Sequence, residues 1–291
     1  FPEEIIAEFF RRTGLQPLGN YAASGTEILG QLGAEHLQTG QPIVYTSVDS
    51  VFQIAAHEKV IPVERLYEIC QIAREILNPY RIARVIARPF VGSVAEGFRR
   101  TARRHDFSMP PNADTVLDRL QSQGYEVIGV GKISDLFAGR GLTRALPAES
   151  NAHGMELTLK SFASLRRGLV FTNLVDFDML FGHRLDAAGF AAALEAFDAW
   201  LPELLAAMTA DDLLLISADH GCDPTTLGTD HSREYVPLLA WSSGLNGGYD
   251  LGVRSSFADV AATLGENFAL GWESGTSFLA ALSGKLDDPD H

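Results

Sequence analysis

A chain of 291 residues with 37 acidic against 23 basic side chains carries a formal charge of −14, and 46% of its residues are hydrophobic against 21% charged. These proportions exclude disordered and low-complexity classes, and the charge argues against a nucleic-acid partner, because such binding rests on neutralising many phosphates. No apolar run reaches the roughly 18 to 20 residues of a membrane span, the opening Phe1-Pro2-Glu3-Glu4 lacks the basic-then-apolar profile of a secretory signal, and two cysteines, Cys70 and Cys222, fit a reducing compartment, so a cytoplasmic protein is expected.

In chain order, short β-branched runs alternate with amphipathic helical patterns, which predicts an α/β fold with a largely parallel sheet. Strands are expected at 42–47, 84–90, 126–130, 169–175 and 213–218. A helix over 63–77 sets Leu66, Ile69, Cys70, Ala73, Ile76 and Leu77 on one face, so Cys70 is expected in the core. A helix over 115–123 follows Pro110-Pro111-Asn112 and stops at Gly124. A long one over 187–208 carries an apolar packing stripe from Phe190 to Met208, with Pro202 a kink or break inside it. The acidic tail 287–291 reads as a solvated terminus.

Two apolar strands each run into a loop opening with acid and histidine: Asp176-Phe177-Asp178 followed by Gly182-His183, and Asp219-His220-Gly221-Cys222-Asp223. His231 follows soon after. Ligands in parallel sheets sit beyond the carboxyl ends of strands. Mixed carboxylate and imidazole donors suit Mn²⁺ or Zn²⁺ better than Ca²⁺. Asp178, His183, Asp219, His220 and His231 are therefore the candidate ligands, with Asp176 and Asp223 ambiguous and Asp223 a candidate support for the site.

Earlier in the chain Arg81, Arg84, Arg88, Arg99, Arg100, Arg103 and Arg104 face a single acid, Glu96, an anomaly in so acidic a protein. Guanidinium groups bind phosphate through two hydrogen bonds at once, so the surplus points to a phosphorylated small molecule. About half, Arg81 and Arg99 among them, are expected as helix-surface charges; Arg88, Arg103 and Arg104 are the stronger candidates. Asp49, after the strand at 42–47, is placed to hold sugar hydroxyls or to cap a helix. Lys132 ends a strand, where a cation would meet a phosphate.

These stretches together, with Ser24–Leu29, residues 45–55 and 84–90, Arg104-His105-Asp106, Gly131-Lys132-Ile133, residues 172–183 and 218–224, and Gly228–Glu234, resemble the phosphopentomutase family of the alkaline phosphatase superfamily. The resemblance implies an alkaline-phosphatase-like, doubly wound, mostly parallel sheet core with a smaller α/β cap. Residues 1–110 would be the cap and 111–291 the metal-binding core, incomplete on its N-terminal side. It implies interconversion of α-D-ribose 1-phosphate, or its 2-deoxy analogue, with the 5-phosphate through a phosphothreonine. Two Mn²⁺ ions and a sugar bisphosphate activator would assist, in the cytoplasm, with no membrane or nucleic-acid partner. Asp178, His183 and His231 resemble the ligands of one metal, and Asp219 and His220 those of the other. Asp49, Arg88, Arg104 and Lys132 would bind the sugar phosphate. The family's threonine nucleophile and a first-strand aspartate have no match here; Thr26, Thr46, Thr172 and Thr229 sit in other motifs. The second metal site is thus expected to be incomplete, the chain inactive alone, and a missing N-terminal segment to be its partner. Two other readings stand beside this one: another metal-dependent phosphomutase or phosphatase, such as a cofactor-independent phosphoglycerate mutase, and a metal- or sugar-phosphate-binding paralogue or fragment without catalysis.

Overall fold

The computed structural model describes residues 1–47, 51–245 and 248–282. Asp49 and the acidic tail 287–291 lie outside the described residues. The chain divides into two units, Phe1–Pro111 with Asp135–Ala138, and Asn112–Ser134 with Gly139–His291.

The first unit is built from α1 (Glu3–Thr13), β1 (Leu18–Ala22), α2 (Gly25–Thr39), β2 (Ile43–Thr46), β3 (Val51–His57), α3 (Val63–Leu77), β4 (Arg84–Ser93), β5 (Gly97–Arg100) and β6 (His105–Ser108). Its six strands run in the order β1-β2-β3-β4-β5, with β6 also paired to β4. This sheet is mixed: β1 and β2 are parallel, as are β3 and β4, while β2–β3, β4–β5 and β4–β6 are antiparallel. Acids in the first turn of α1 and arginines in its last complement the helix dipole. Ser24 caps α2 by accepting the Glu27 N–H at 3.2 Å.

Strand alternation assigns the faces. Val44, Phe52, Ile54, Ala56, Val85 and Ala87 pack beneath Ile5 and Phe9 of α1 and Leu66, Ile69, Cys70 and Leu77 of α3. Ile43, Tyr45, Ala55 and Phe90 on the opposite face meet Ile28 and Leu29 of α2. With helices on both sides, β3 is buried at every position. A helix expected after Asp49 is absent, since residues 51–57 are this central strand.

The second unit contains α4 (Val116–Ser122), β7 (Glu126–Val130), α5 (Ile133–Leu136, shared with the first unit), β8 (Arg144–Leu146), α6 (Asn151–Ser164), β9 (Gly168–Thr172), α7 (Ala187–Ala207), β10 (Leu214–Ser217), β11 (Leu238–Trp241), α8 (Ala258–Asn267) and α9 (Leu279–Leu282). Strands β8-β7-β9 form a parallel sheet and β10-β11 an antiparallel pair. Thr115 and Asp118 form a reciprocal cap on α4. Pro202 neither breaks nor ends α7, which runs through it. The apolar stripe of α7 is not packed as expected: of its residues only Leu204 is buried, and Leu194 is 51% exposed. No described helix is long and apolar enough to cross a membrane.

Candidate functional site

The five-residue step from Asp178 to His183 is wrong for an α-helix, where 3.6 residues per turn would set the two about 140° apart around the axis. The residues between them instead form a π-helical turn, Phe177–Gly182. Such a turn joins residues five apart, and the His183 N–H reaches the Asp178 carbonyl at 3.0 Å. The turn therefore closes on the two residues themselves, and their side chains meet, with His183 Nε2 3.3 Å from Asp178 Oδ1.

The protons on these rings follow from their other partners. His183 Nδ1 lies 2.5 Å from the Thr229 carbonyl oxygen; a carbonyl only accepts, so Nδ1 donates there and Nε2 is the nitrogen turned toward Asp178. In the neutral ring Nε2 is the lone-pair atom that a cation shared with the Asp178 carboxylate would take. His231 Nε2 lies 3.0 Å from the same Asp178 Oδ1. In the loop after β10, His220 Nδ1 donates to the Gly221 carbonyl at 3.1 Å, again freeing Nε2. Its ring stacks on His231 at 3.7 Å and 17°. Donor atoms of Asp178, His220 and His231 all lie within 4.8 Å of one another. One carboxylate with imidazole nitrogens oriented by backbone carbonyls is a donor set suited to a divalent transition metal.

Small residues let these loops approach. A Cβ on Gly182 would sit 2.2 Å from Cys222 Sγ, and one on Gly221 would sit 2.4 Å from the Ser232 carbonyl oxygen. Asp223 fastens the arrangement: its N–H donates to Ser232 Oγ at 2.7 Å and its Oδ1 accepts from Thr225 N–H and Oγ1. Those bonds to Thr225 hold its carboxyl below the usual range. Burial, then the Asp178 and Asp223 carboxylates, push the Cys222 thiol up. Asp176 exchanges hydrogen bonds with Asn151, its Oδ2 accepting the Asn151 N–H at 2.7 Å and its own N–H donating to Asn151 Oδ1 at 2.8 Å, so it anchors α6. Asp219 is 59% exposed, its Oδ1 3.7 Å from His220 Nε2. The side chains thus gather His220 with Asp178 and His231, whereas the resemblance divides them between two ions. Lys132, after β7, donates to Met179 Sδ at 2.8 Å, one residue from Asp178.

The first unit carries a different chemistry. Alternation along β4 puts Ile86, Arg88 and Phe90 on the α2 face; Arg88 is in register with Ala55 and Phe90 with Arg100. Arg100 and the Tyr45 hydroxyl meet at the first residue of α2, where a Cβ on Gly25 would lie 1.9 Å from Arg100 Nη2 and 2.7 Å from Tyr45 Oη. Burial, then the Arg104 guanidinium, lower Arg88 from its ordinary value. Burial raises Tyr45 despite Arg88, Arg100 and Arg104 around it. Arg104 forms a two-bond pair with Asp106 at 2.7 and 2.6 Å, and Arg103 pairs with Glu58. Arg99 and Arg81 are not helix-surface charges: Arg99 lies on β5 and Arg81 adopts φ 54° after a short turn. Tyr45, Gln53 and Arg100 stand in stretches the sequence singled out, but their grouping around Arg88 was not read; the alternate-residue spacing of β4, had β3 and β5 been recognised, would have placed them beside it.

Residues 52–271 match the Metalloenzyme superfamily. The chain is 62% identical to a phosphopentomutase of Syntrophotalea carbinolica over 97% of its own length and 72% of the relative's. It is 56% identical to one of Caldanaerobacter subterraneus over 98% and 73%, and 55% identical to one of Carboxydothermus hydrogenoformans over 97% and 73%. Helices and mixed or parallel sheets in the order seen here agree with the alkaline-phosphatase-like α/β class. Together the imidazole–carboxylate cluster and these identities place the chain in the phosphopentomutase family of that metalloenzyme superfamily, and make it an isomerase of the phosphomutase kind.

Proposed function

We propose that this chain interconverts α-D-ribose 1-phosphate, or the 2-deoxy sugar, with the corresponding 5-phosphate in the cytoplasm. The observation that carries the reading is the convergence of Asp178, His183 and His231 through the π-helical turn, in a chain 62% identical to a phosphopentomutase. Asp178, His183, His220 and His231 would hold Mn²⁺, with Asp219 reaching a second ion. When bound, such ions neutralise charge on a transferring phosphoryl group.

The protein's own groups supply the rest. Carbonyls of Thr229 and Gly221 take the Nδ1 protons of His183 and His220 and so turn Nε2 of each ring toward the site. The Lys132 ammonium, whose acceptor among the described residues is a weak thioether, is available to exchange it for a phosphate oxygen. Arg88 and Arg104 would take the phosphate that is not being transferred, and Asp49 the sugar hydroxyls. In this reading residues 1–110 are the substrate-covering domain and 111–291 the metal-binding one. Passage of the phosphoryl group through an enzyme threonine, primed by a sugar bisphosphate, completes the proposal; none of Thr26, Thr46, Thr172 or Thr229 is given that role.

Phosphorus NMR of the chain with Mn²⁺, a sugar bisphosphate and ribose 1-phosphate is the test. Appearance of the 5-phosphate, lost on chelation and in His231→Ala, supports the reading. Turnover of phosphoglycerate instead would favour the mutase alternative, and metal-dependent sugar-phosphate binding without turnover would favour a binding protein.

A further inference from the structure

Gln53 is a polar side chain on the central strand of a sheet covered on both faces, and it is only 3% exposed. Such a position is ordinarily apolar, and its amide has to be satisfied where it lies. Its Oε1 accepts from Arg88 Nε at 3.0 Å, and its Nε2 donates to Ser47 Oγ at 3.2 Å. The orientation of the amide is forced, because a guanidinium only donates.

The consequence falls on Arg88. A guanidinium offers five N–H donors in a rigid plane, and fixing Nε fixes that plane. With Nε committed to a neutral amide, the two terminal nitrogens remain without an acceptor among the described residues, and no carboxylate bonds the guanidinium, the Asp106 carboxylate acting on it only as a nearby charge. Arg104 differs: both its Nε and Nη2 are held by Asp106. A carboxylate at position 53 would have held Arg88 equally well and cancelled its charge. An amide there orients the cation and leaves it open to an anion.

We propose that Gln53 is a positioning residue for phosphate recognition: it presents the terminal nitrogens of Arg88, in a fixed plane, to the phosphate of the sugar substrate. This rests on the assignment of Arg88 to substrate phosphate made above. Neither Ser47 nor Gln53 needs to touch the ligand for the effect to hold.

The experiment is calorimetric titration of the full chain, Mn²⁺ present, with ribose 5-phosphate, alongside thermal unfolding. Gln53→Met conserves volume and removes both hydrogen bonds; affinity should fall about tenfold. Gln53→Glu keeps the acceptor and adds a countercharge; affinity should fall by at least as much while the unfolding midpoint holds or rises, a separation that a merely structural role would not produce. In an Arg88→Ala background, Gln53→Met should change affinity less than twofold. Retained affinity in folded Gln53→Met or Gln53→Glu, while Arg88→Ala alone weakens binding, overturns the positioning role. Retained affinity in Arg88→Ala, or no binding by the unsubstituted chain, overturns the phosphate assignment beneath it.

Discussion

The two units distribute their apolar surface in opposite ways. In the first, β2, β3 and β4 have both faces covered, and Phe52, Ile54, Leu66 and Phe90 are fully enclosed. In the second, the middle strand β7 is buried along most of its length, yet β9 is only half-buried and Phe171, Leu194, Leu239 and Phe257 are exposed. The chemistry divides along the same line. Cationic groups stand on a well-packed sheet, where register fixes their spacing, whereas the imidazoles and Asp178 stand on a turn and loops joined to short strands. A rigid platform suits recognition of a phosphate by direction; loops suit ligands that an ion itself can draw together.

The largest expected effect tests the packing contrast. Phe52→Ala should destabilise by about 3–5 kcal/mol, the cost of truncating an enclosed aromatic, while Leu194→Ala should stay within about 0.5 kcal/mol. Urea titrations of both would erase the contrast if the two costs were equal. Next comes the metal. Mn²⁺ at about a hundred times its dissociation constant should stabilise by roughly 2.7 kcal/mol, with the gain in amide protection confined to residues 175–183 and 218–234. His231→Ala should lose both metal and protection; protection gained equally in β2 and β3 would put the ion elsewhere.

The smallest effect is a pH dependence of the first unit. His36 is fully buried, its Nδ1 donating to the Gln41 carbonyl at 2.6 Å and its Nε2 accepting the His57 N–H at 2.8 Å. Burial, its largest influence, lowers its pKa, so the unfolded chain binds this proton more readily than the folded one. The contribution is therefore complete above the unfolded value of about 6.5 and declines as pH falls through and below it, by about 1.4 kcal/mol per unit of difference. In His36→Gln the stability slope between about pH 6.5 and 5 should flatten; an unchanged slope would assign the acid sensitivity to other groups.

Elements governed by simple periodicity were legible. The 3.6-residue pattern gave α3 its bounds, Val63–Leu77, and put Cys70 in the core. Strands β2, β7 and β10 fell where β-branched runs stand. What escaped was structure whose determinants are tertiary. Strand β3 was hidden because both of its faces are buried, so it shows no alternation, and β5 and β6 because each is four residues long, with Arg99 on β5 read as helix-surface charge. Pro202 was expected to disturb α7 and does not end it. The candidate ligand types were visible in Asp-His-Gly and its neighbours, but not which imidazoles share Asp178. That depends on how Gly182 and Gly221 let three loops stack.

The π-helical turn gives the metal cluster a dependence on counting. Met179, Leu180 and Phe181 contribute length between Asp178 and His183, and both Met179 and Leu180 are exposed. The identity of Leu180, which no contact described above uses, is therefore open to change while the number of residues is not. Deleting any one of them would turn an i-to-i+5 pair into an i-to-i+4 pair and return the backbone to α-helical phase, with the His183 proton donor carried off the Thr229 carbonyl. Substitutions at Leu180 should be widely tolerated in the family, and single-residue length changes should not be found between Asp178 and His183.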